Sequence, residues 1–333
     1  MRKDMKLTYE QIKKIVKGTA STVEEDGKVC FHRFTDEQLD MYREVSDDFY
    51  VKAFSTAGVR LEFVTDSKAL AFEAAVSKGS SRSYFNHDIY VNGEHLYTLG
   101  DDLDGVPGGS VAVRGEYELG EGEKTVKIYL PWSATSKLVS LELDDGATLM
   151  PVEHSLKMLC FGDSITHGYD AANPSASYSS ILTDALDAES INKAIGGEVF
   201  RSELGAMRDG MTPDVITVAY GTNDWRGRAR EDFLRECEGF YKNLSALYPN
   251  AKIFAMTPIW RGNCKIITRV GAFERVKEKL IEVANALPNV TVIDCTDFVP
   301  HEAKLYSYDV LHPNSYGFSF YADGVISAIR KSM

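Results

Sequence analysis

Three residues of this sequence have the types and positions that nucleophilic catalysis requires. Ser164 follows an apolar run in LCFGDSITHG. Asp309 and His312 lie three residues apart in YDVLHPNSYGF. A serine hydroxyl attacks poorly unless a base removes its proton, and the base works best when a third group orients it. The Asp-x-x-His spacing lets the carboxylate meet one imidazole nitrogen and leaves the other nitrogen available to a serine.

Acyl transfer also requires donors for the negative charge that develops on the substrate oxygen. NKAIGG ends with Gly196 and Gly197, and two glycines leave the backbone N–H of Gly197 unshielded. AYGTNDW contains Gly221 and Asn223, and the side-chain amide of Asn223 is a second candidate donor.

Taken singly, each of these signals has a simpler structural interpretation. A serine after a strand is more often a helix cap than a nucleophile. His312 beside Pro313 is as typical of a surface loop as of a catalytic base. Gly-Gly and Asn-Asp sequences are common in turns and caps. The catalytic interpretation therefore depends on whether the chain can bring the signals together.

The elements after residue 155 can bring them together, because apolar strand candidates alternate there with amphipathic helices. The strand candidates are LKMLCFG (156–162), SINKAI (190–195), DVITVAYG (214–221), AKIFAMTP (251–258) and VTVIDC (290–295). The helix candidates are residues 178–187, 231–248, 269–287 and 315–331. This alternation predicts a parallel sheet, and ligands bind beyond the carboxyl ends of its strands. The four signals fall on that one rim.

GDSITHG, NKAIGG, GTND and DVLHPN, in this order, resemble the four sequence blocks of the SGNH or GDSL hydrolase superfamily, over residues 156–331. The resemblance implies a flavodoxin-like α/β fold, with a five-stranded parallel sheet between helices. It implies that Ser164 is the nucleophile, His312 its base and Asp309 the residue that orients the histidine. It also implies an oxyanion hole of the Ser164 and Gly197 amides and the Asn223 side chain, with Gly196 as the alternative to Gly197.

Two details bear on the predicted triad. The sequence GDSIT lacks the second glycine of a Gly-x-Ser-x-Gly nucleophile elbow, so we expect a looser turn and an open, shallow site. In related two-domain enzymes a backbone carbonyl sometimes orients the histidine, but Asp309 is present here and we predict a full triad.

We expect Asp163 and His167 to make local hydrogen bonds. His301 is a weaker candidate base because Phe298, not an acid, precedes it by three residues.

Residues 25–150 have the pattern of an antiparallel β domain. Short runs of alternating polarity, separated by turn residues, predict a sandwich or jelly roll. Asn92-Gly93 between two such runs predicts a two-residue hairpin turn. We therefore predict a helical N-terminal segment over residues 1–24, an all-β sandwich or jelly-roll accessory domain over 25–152, and the α/β catalytic domain over 153–333.

The composition restricts the partners and the compartment. A net charge of −12 argues against nucleic-acid and anionic membrane surfaces, since both select for basic patches. No apolar run has the length that spans a bilayer. The five cysteines are scattered and form no Cys-x-x-Cys pair, and no secretion signal is recognisable. We therefore expect a cytoplasmic protein with reduced thiols, or an extracellular protein if a leader has been removed. We expect neither a metal nor an organic cofactor, and the oligomeric state is not indicated.

The substrate is indicated by a further resemblance. An all-β domain before an SGNH domain resembles the arrangement of carbohydrate esterase family two, whose members deacetylate sugars and polysaccharides. We predict a serine esterase for short acyl esters, chiefly acetyl, of a small molecule or oligosaccharide. We expect Trp225 and Trp260 at the rim of the site. The alternatives are a GDSL hydrolase of the lipase, lysophospholipase or thioesterase type, and a non-catalytic carbohydrate-binding protein.

Overall fold

The computed structural model describes residues 4–333, which form two compact units. The first unit contains the described residues up to Thr35, together with Tyr42–His154 and Asn173–Ser175. The second unit contains Asp36–Met41, Ser155–Ala172 and Ala176–Met333. Within residues 4–333, no helix combines the length and the apolar character needed to cross a membrane.

The first unit is built on two six-stranded antiparallel sheets. Its strands are β1 (Asp4–Lys6), β2 (Val16–Lys17), β3 (Ser21–Glu25), β4 (Lys28–His32), β5 (Arg60–Thr65), β6 (Ala69–Lys78), β7 (Tyr84–Val91), β8 (Glu94–Asp102), β9 (Ser110–Glu118), β10 (Lys124–Tyr129), β11 (Ala134–Asp144) and β12 (Met150–Pro151). One sheet has the order β3-β4-β11-β6-β9, with β1 beside β11. The other has the order β12-β5-β10-β7-β8, with β2 beside β5.

The two sheets share one hydrophobic core, to which Phe72 and Leu141 contribute from the first sheet and Phe63 and Ile128 from the second. Along β11, buried and partly exposed residues alternate because successive side chains of a strand point to opposite faces. This is the sandwich that the alternating sequence predicts. The predicted hairpin joins β7 and β8, with Asn92 (φ 51°) and Gly93 (φ 82°) both left-handed, as a type I′ turn requires.

The helices among residues 4–53 differ from the sequence prediction. The predicted helical segment over residues 1–24 is helical only in α1 (Tyr9–Ile15), which Thr8 and Gln11 begin with a capping box, and residues 1–3 lie outside the described residues. The strands β1, β2 and β3 take up most of the remainder and pair with β11, β5 and β4. Two helices that the strand-like interpretation missed, α2 (Asp36–Val45) and α3 (Asp47–Ala53), interrupt the β region.

The second unit contains the predicted five-stranded parallel sheet. Its strands are β13 (Leu156–Gly162), β14 (Ala188–Asn192), β15 (Val215–Ala219), β16 (Lys252–Met256) and β17 (Val290–Ile293), in the order β14-β13-β15-β16-β17. Its helices are α4 (Ser164–His167), α5 (Tyr178–Ala185), α6 (Thr222–Gly227), α7 (Arg230–Leu247), α8 (Glu274–Ala286) and α9 (Ser315–Ser332). The predicted flavodoxin-like architecture is confirmed, since this strand order is the flavodoxin-like 2-1-3-4-5.

The strand order determines where a site can form. Beyond β13 the chain crosses to β14 on one side, whereas β15 pairs with β13 on the other side, so the connections diverge between β13 and β15. A crevice outside the carboxyl ends of the strands arises at such a switch point. The turns that follow β13 and β15 carry Ser164 and Asn223 respectively.

The last helix packs closely on the loop that contains Asp309 and His312. A Cβ added to Gly317, in the first turn of α9, would lie 2.2 Å from the carbonyl oxygen of Leu305 and 2.9 Å from Cβ of Pro313. Only glycine allows the helix to approach the loop this closely. The helix therefore limits the positions that the loop can adopt.

Gly317→Ala tests this contact. We expect the added methyl to push helix and loop apart and to lower the free energy of unfolding by about 1–3 kcal/mol, the usual cost of overpacking, in urea denaturation. Gly227→Ala in α6 is the matched control, because a Cβ there meets no atom within 4 Å. Equal unfolding midpoints for the two variants would contradict the prediction.

Candidate active site

Ser164 is the first residue of α4, directly beyond the buried strand β13. The helix N-cap is Asp163, whose Oδ1 accepts a hydrogen bond of 3.0 Å from the N–H of Ile165. The cap interpretation that the sequence left open for Ser164 therefore belongs to its neighbour. The Ser164 hydroxyl is available for another contact.

His312 and Asp309 occupy a short hairpin-like loop before α9. Tyr306 and Pro313 form an antiparallel bridge, and the N–H of Ser307 donates to the carbonyl oxygen of His312 (2.8 Å). Asp309 Oδ1 accepts from the N–H groups of Leu311 (2.9 Å) and His312 (3.1 Å), as in an Asx turn. The second carboxylate oxygen of Asp309 therefore points to the imidazole.

The backbone between the two residues is strained. Val310 has a φ of 49°, which is a rare conformation for a β-branched residue. The carbonyl oxygen of Val310 accepts from the N–H of Gly262 (2.9 Å), and its N–H donates to Ser307 (2.9 Å), so hydrogen bonds on both sides hold the conformation. Backbone strain of this kind persists where the surroundings over-determine it.

The loop brings His312 to Ser164, which is 148 positions away in the chain. Nε2 of His312 lies 2.7 Å from Oγ of Ser164, and Nδ1 lies 2.6 Å from Oδ2 of Asp309. Because an ionised carboxylate only accepts hydrogen bonds, Nδ1 carries the proton and Nε2 is left to accept from the serine hydroxyl. This arrangement can remove the serine proton. Both Ser164 and His312 are buried.

The charge of Asp309 suits this arrangement. Burial raises the pKa of its carboxyl group, but the hydrogen bond from His312, the charge of the histidine and the two backbone N–H donors together hold that pKa well below its usual range. Asp309 is therefore ionised at neutral pH. It can orient the imidazole and stabilise the positive charge that a proton from Ser164 would create.

A second carboxylate, which the sequence analysis missed, lies beside the same nitrogen. Oδ2 of Asp170 is 3.5 Å from Nδ1 of His312. The neighbouring Tyr169 stacks its ring on the imidazole, with ring centroids 5.6 Å apart. The only signal was the acid two residues beyond Gly168 in GDSITHGYD, and its position depends on how the chain leaves α4.

The two glycines of NKAIGG differ in the partners of their N–H groups. The N–H of Gly196 donates to Nδ1 of His167 (3.2 Å). Among residues 4–333, no acceptor bonds the N–H of Gly197 or that of Ser164. Gly197 also has a φ of 94°, which favours glycine. Of the two alternatives, Gly197 has the available donor.

Asn223 lies in the first turn of α6, after Gly221 in the left-handed conformation (φ 118°). Its side-chain nitrogen donates one hydrogen bond of 3.0 Å to the carbonyl oxygen of Glu198. The amide has two hydrogens, so this bond orients the group and leaves the second hydrogen for another acceptor. The carbonyl group of Glu198, the residue after Gly197, thus orients the side chain of Asn223.

Buried charges surround these groups within the second unit. Burial raises the pKa of Asp163 to about 6, although the hydrogen bond from the N–H of Ile165 and the electrostatic interactions with His312 and Arg261 each lower that pKa. Burial likewise raises the pKa of Asp224 to about 7, although Arg228 lies 3.2 Å from its carboxylate. Asp163 is thus fixed as a helix cap, and Asp224 accepts from the backbone N–H of Phe200. Neither is placed as the partner of His312 Nδ1.

The two tryptophans predicted at the rim have different surroundings. Trp225 is fully buried; its indole N–H donates to the carbonyl oxygen of Gly271 (3.0 Å) and its ring packs edge-on against Phe273. The prediction that Trp225 lies at the rim is therefore wrong, because its ring is packed in the interior of the second unit and its indole N–H is hydrogen-bonded there. Trp260 is partly exposed and stacks on His301, with centroids 4.9 Å apart.

Two remaining alternatives concern His301 and a metal. Nε2 of His301 lies 3.0 Å from Oδ1 of Asp297, whereas Nε2 of His312 meets the serine. Among residues 4–333, the group with suitable donors for a cation is Asp170, Asp309 and His312, whose ligand atoms lie within 4.8 Å of one another. A cation there would have to replace the 2.6 Å hydrogen bond of Nδ1, because Nε2 faces the serine.

The chain resembles known proteins in sequence over part of its length and in fold over all of it. Residues 160–319 match the model of the GDSL-like lipase/acylhydrolase family. No curated protein matches the chain significantly.

Similar solved structures include the salicylyl-acyltransferase SsfX3 from a tetracycline biosynthetic pathway, which is 21% identical, with a TM-score of 0.85 over 99% of this chain and 97% of that chain. A putative GDSL-like lipase from Bacteroides ovatus is 19% identical, with a TM-score of 0.76 over 99% and 98% of the two chains. A family two carbohydrate esterase from Cellvibrio japonicus is 18% identical, with a TM-score of 0.69 over 99% and 98%.

These structural matches show that the fold, an antiparallel β domain followed by a five-stranded α/β domain, is shared over 99% of the chain. The family match falls within the part that carries Ser164, Asn223 and His312. The part of the second unit over residues 160–319 is therefore similar to the GDSL-like lipases and acylhydrolases.

Proposed function

We propose that this protein is a serine esterase that removes short acyl groups, chiefly acetyl, from a carbohydrate. The observation that carries the proposal is the pair of short contacts from Asp309 Oδ2 to His312 Nδ1 (2.6 Å) and from His312 Nε2 to Ser164 Oγ (2.7 Å). A carboxylate, an imidazole and a hydroxyl in this order can activate the hydroxyl without a metal or an organic cofactor.

In the first half of the proposed reaction, Nε2 of His312 takes the proton of Ser164 as Oγ attacks the ester carbonyl carbon. The imidazolium that forms keeps its Nδ1–H bonded to Asp309. The tetrahedral intermediate then expels the sugar alkoxide, which takes the proton from Nε2 and leaves as an alcohol. Ser164 is now acylated, and His312 is neutral again.

The second half repeats these proton transfers with water. His312 removes a proton from a water molecule as its oxygen attacks the acyl carbon, and the second tetrahedral intermediate expels Ser164. The serine oxygen recovers its proton from His312, and the acyl group leaves as a carboxylic acid. The same two contacts therefore serve both halves.

The negative charge on the intermediate requires hydrogen-bond donors that are in place before the reaction. The N–H groups of Ser164 and Gly197 have no acceptor within residues 4–333, and Asn223 has one side-chain hydrogen unused by Glu198. We assign these three donors to the oxyanion hole. Ser164 supplies its N–H because the first residue of a helix has no intrahelical acceptor.

The substrate class is supported by three considerations. The fold is shared with a family two carbohydrate esterase. The net charge of −12 suits a neutral sugar ester better than an anionic polymer. The sequence has no extended apolar segment that would cover a long acyl chain. Trp260, which is partly exposed after β16, is the remaining candidate for a sugar contact.

Ser164→Ala tests the nucleophile. We expect hydrolysis of p-nitrophenyl acetate to fall by about ten-thousandfold or more, because alanine has no hydroxyl group to form the acyl-enzyme. The circular dichroism spectrum and the melting temperature should match those of the wild type. Ser319→Ala is the matched control, since its exposed hydroxyl bonds only Ser315 O of its own helix. Turnover retained by Ser164→Ala would refute the proposal.

Asn223→Ala tests the oxyanion hole. Loss of one donor should lower kcat by about a hundredfold to a thousandfold and leave KM nearly unchanged, because the bond strengthens only as charge develops. Asn243→Ala is the control, because that amide also donates to a backbone carbonyl, Ser202 O (2.8 Å), but from α7. A kcat reduced equally in both variants would instead point to a general loss of packing.

The acyl group can be identified with a series of p-nitrophenyl esters from two to twelve carbons, followed by acetate release from acetylated sugars. We expect kcat/KM to be highest for the acetyl or propionyl ester and to fall steadily with length. A maximum at eight or more carbons would favour a lipase-like enzyme. A higher rate on acyl thioesters would favour a thioesterase, and binding of the sugar without turnover would favour a non-catalytic binding protein.

A further inference from the structure

Two carboxylates, not one, face Nδ1 of His312. Asp309 Oδ2 lies at 2.6 Å and Asp170 Oδ2 at 3.5 Å. The second distance exceeds that of a normal N–H···O hydrogen bond, so Asp170 acts on the ring through its charge. The Asp170 and His312 side chains are each only 10% exposed, so solvent screens this interaction weakly.

The chain delivers Asp170 to this position by a defined route. Helix α4 ends at Gly168 (φ 109°), and the N–H of Tyr169 still donates to the carbonyl oxygen of Ser164 (3.0 Å). Asp170 itself is left-handed (φ 68°), a conformation that aspartate and asparagine tolerate better than most residues. This turn sets the Tyr169 ring on the face of the imidazole and the Asp170 carboxylate at its Nδ1 edge.

The charges around His312 indicate how a second carboxylate would affect the protonated imidazole. Within the second unit, the titratable or charged groups around the ring and its carboxylates include Asp309 on its own loop, Tyr169 and Asp170 after α4, Asp163 before α4, and Arg261 after β16. The reaction creates a positive charge on the imidazole. An opposite charge within about 4–6 Å stabilises that cation. Asp309 and Asp170 are the two acids in closest contact with Nδ1.

We propose that Asp170 is a positioning residue, a second carboxylate that stabilises the His312 imidazolium beside Asp309 and partly replaces Asp309 when that residue is lost. The inference rests on the proposed function. It predicts that the two aspartates are coupled, so that the loss of Asp170 matters more when Asp309 is absent.

The test compares Asp170→Asn, Asp309→Asn and the double variant with the wild type. We expect Asp170→Asn to move the acidic limb of the kcat/KM–pH profile for p-nitrophenyl acetate to lower pH by roughly one unit, because a neighbouring negative charge has been removed. At the pH optimum kcat/KM should fall by about three- to tenfold. In the Asp309→Asn background the same replacement should cost at least about tenfold.

Asp187→Asn is the matched control, because Asp187 is another left-handed aspartate (φ 48°) of the second unit, exposed at the end of α5. It should leave the pH profile unchanged. All assays contain EDTA; activity that EDTA abolishes would show that the acids hold a cation instead and would overturn the proposal. An unshifted profile for Asp170→Asn, or equal costs in the two backgrounds, would also overturn it.

A second measurement tests the role of Asp170 independently of esterase activity. The pH titration of the His312 ring, followed by NMR with His312→Gln to assign the signal, does not depend on turnover. Its midpoint should move to lower pH in Asp170→Asn. A shifted midpoint in a protein without esterase activity would support the role of Asp170 and refute the esterase, whereas an esterase with an unshifted midpoint would refute only the role of Asp170.

Discussion

The hydrogen bond of 2.7 Å between Ser164 and His312 joins two residues that are 148 positions apart, and the site depends on it. The serine is fixed from one side, because β13 pairs with β14 and β15 and holds the turn that follows. The histidine is fixed from the other side by the Asx turn of Asp309, by the bond between Val310 and Gly262, and by the close approach of α9. Two parts of the unit, each held by its own hydrogen bonds, therefore meet where Ser164 contacts His312.

The same site contains two of the three non-glycine residues with positive φ that the structure describes in the second unit. Val310 and Asp170 have positive φ values, and burial raises the pKa of Asp163. Such features are tolerated where the surrounding sheet and hydrogen bonds leave no alternative, and they commonly coincide with functional sites. Here they orient the groups around His312. Charge and strain around the imidazole are thus properties of the whole α/β unit and not of Ser164, Asp309 and His312 alone.

Much of the fold could be predicted from the sequence because its signals are local. The apolar runs of the parallel strands, the alternating runs of the sandwich and the Asn92-Gly93 turn each depend on residues within a few positions. The two helices α2 and α3 were missed, although Ser46 and the acids that follow it form an N-cap pattern. The β pattern assigned to residues 25–150 as a whole included both helices.

For the site, the residue types and their order can be read from the sequence: Ser164 follows a strand, and Asp309 and His312 lie three apart before the last helix. The neighbours of these residues depend on tertiary packing. It made Asp163 rather than Ser164 the helix cap, placed Asp170 against the imidazole, and buried Trp225. The physical reason is that spacing along a chain reports backbone periodicity, whereas the direction and burial of a side chain depend on elements that are distant in sequence and become neighbours only on folding.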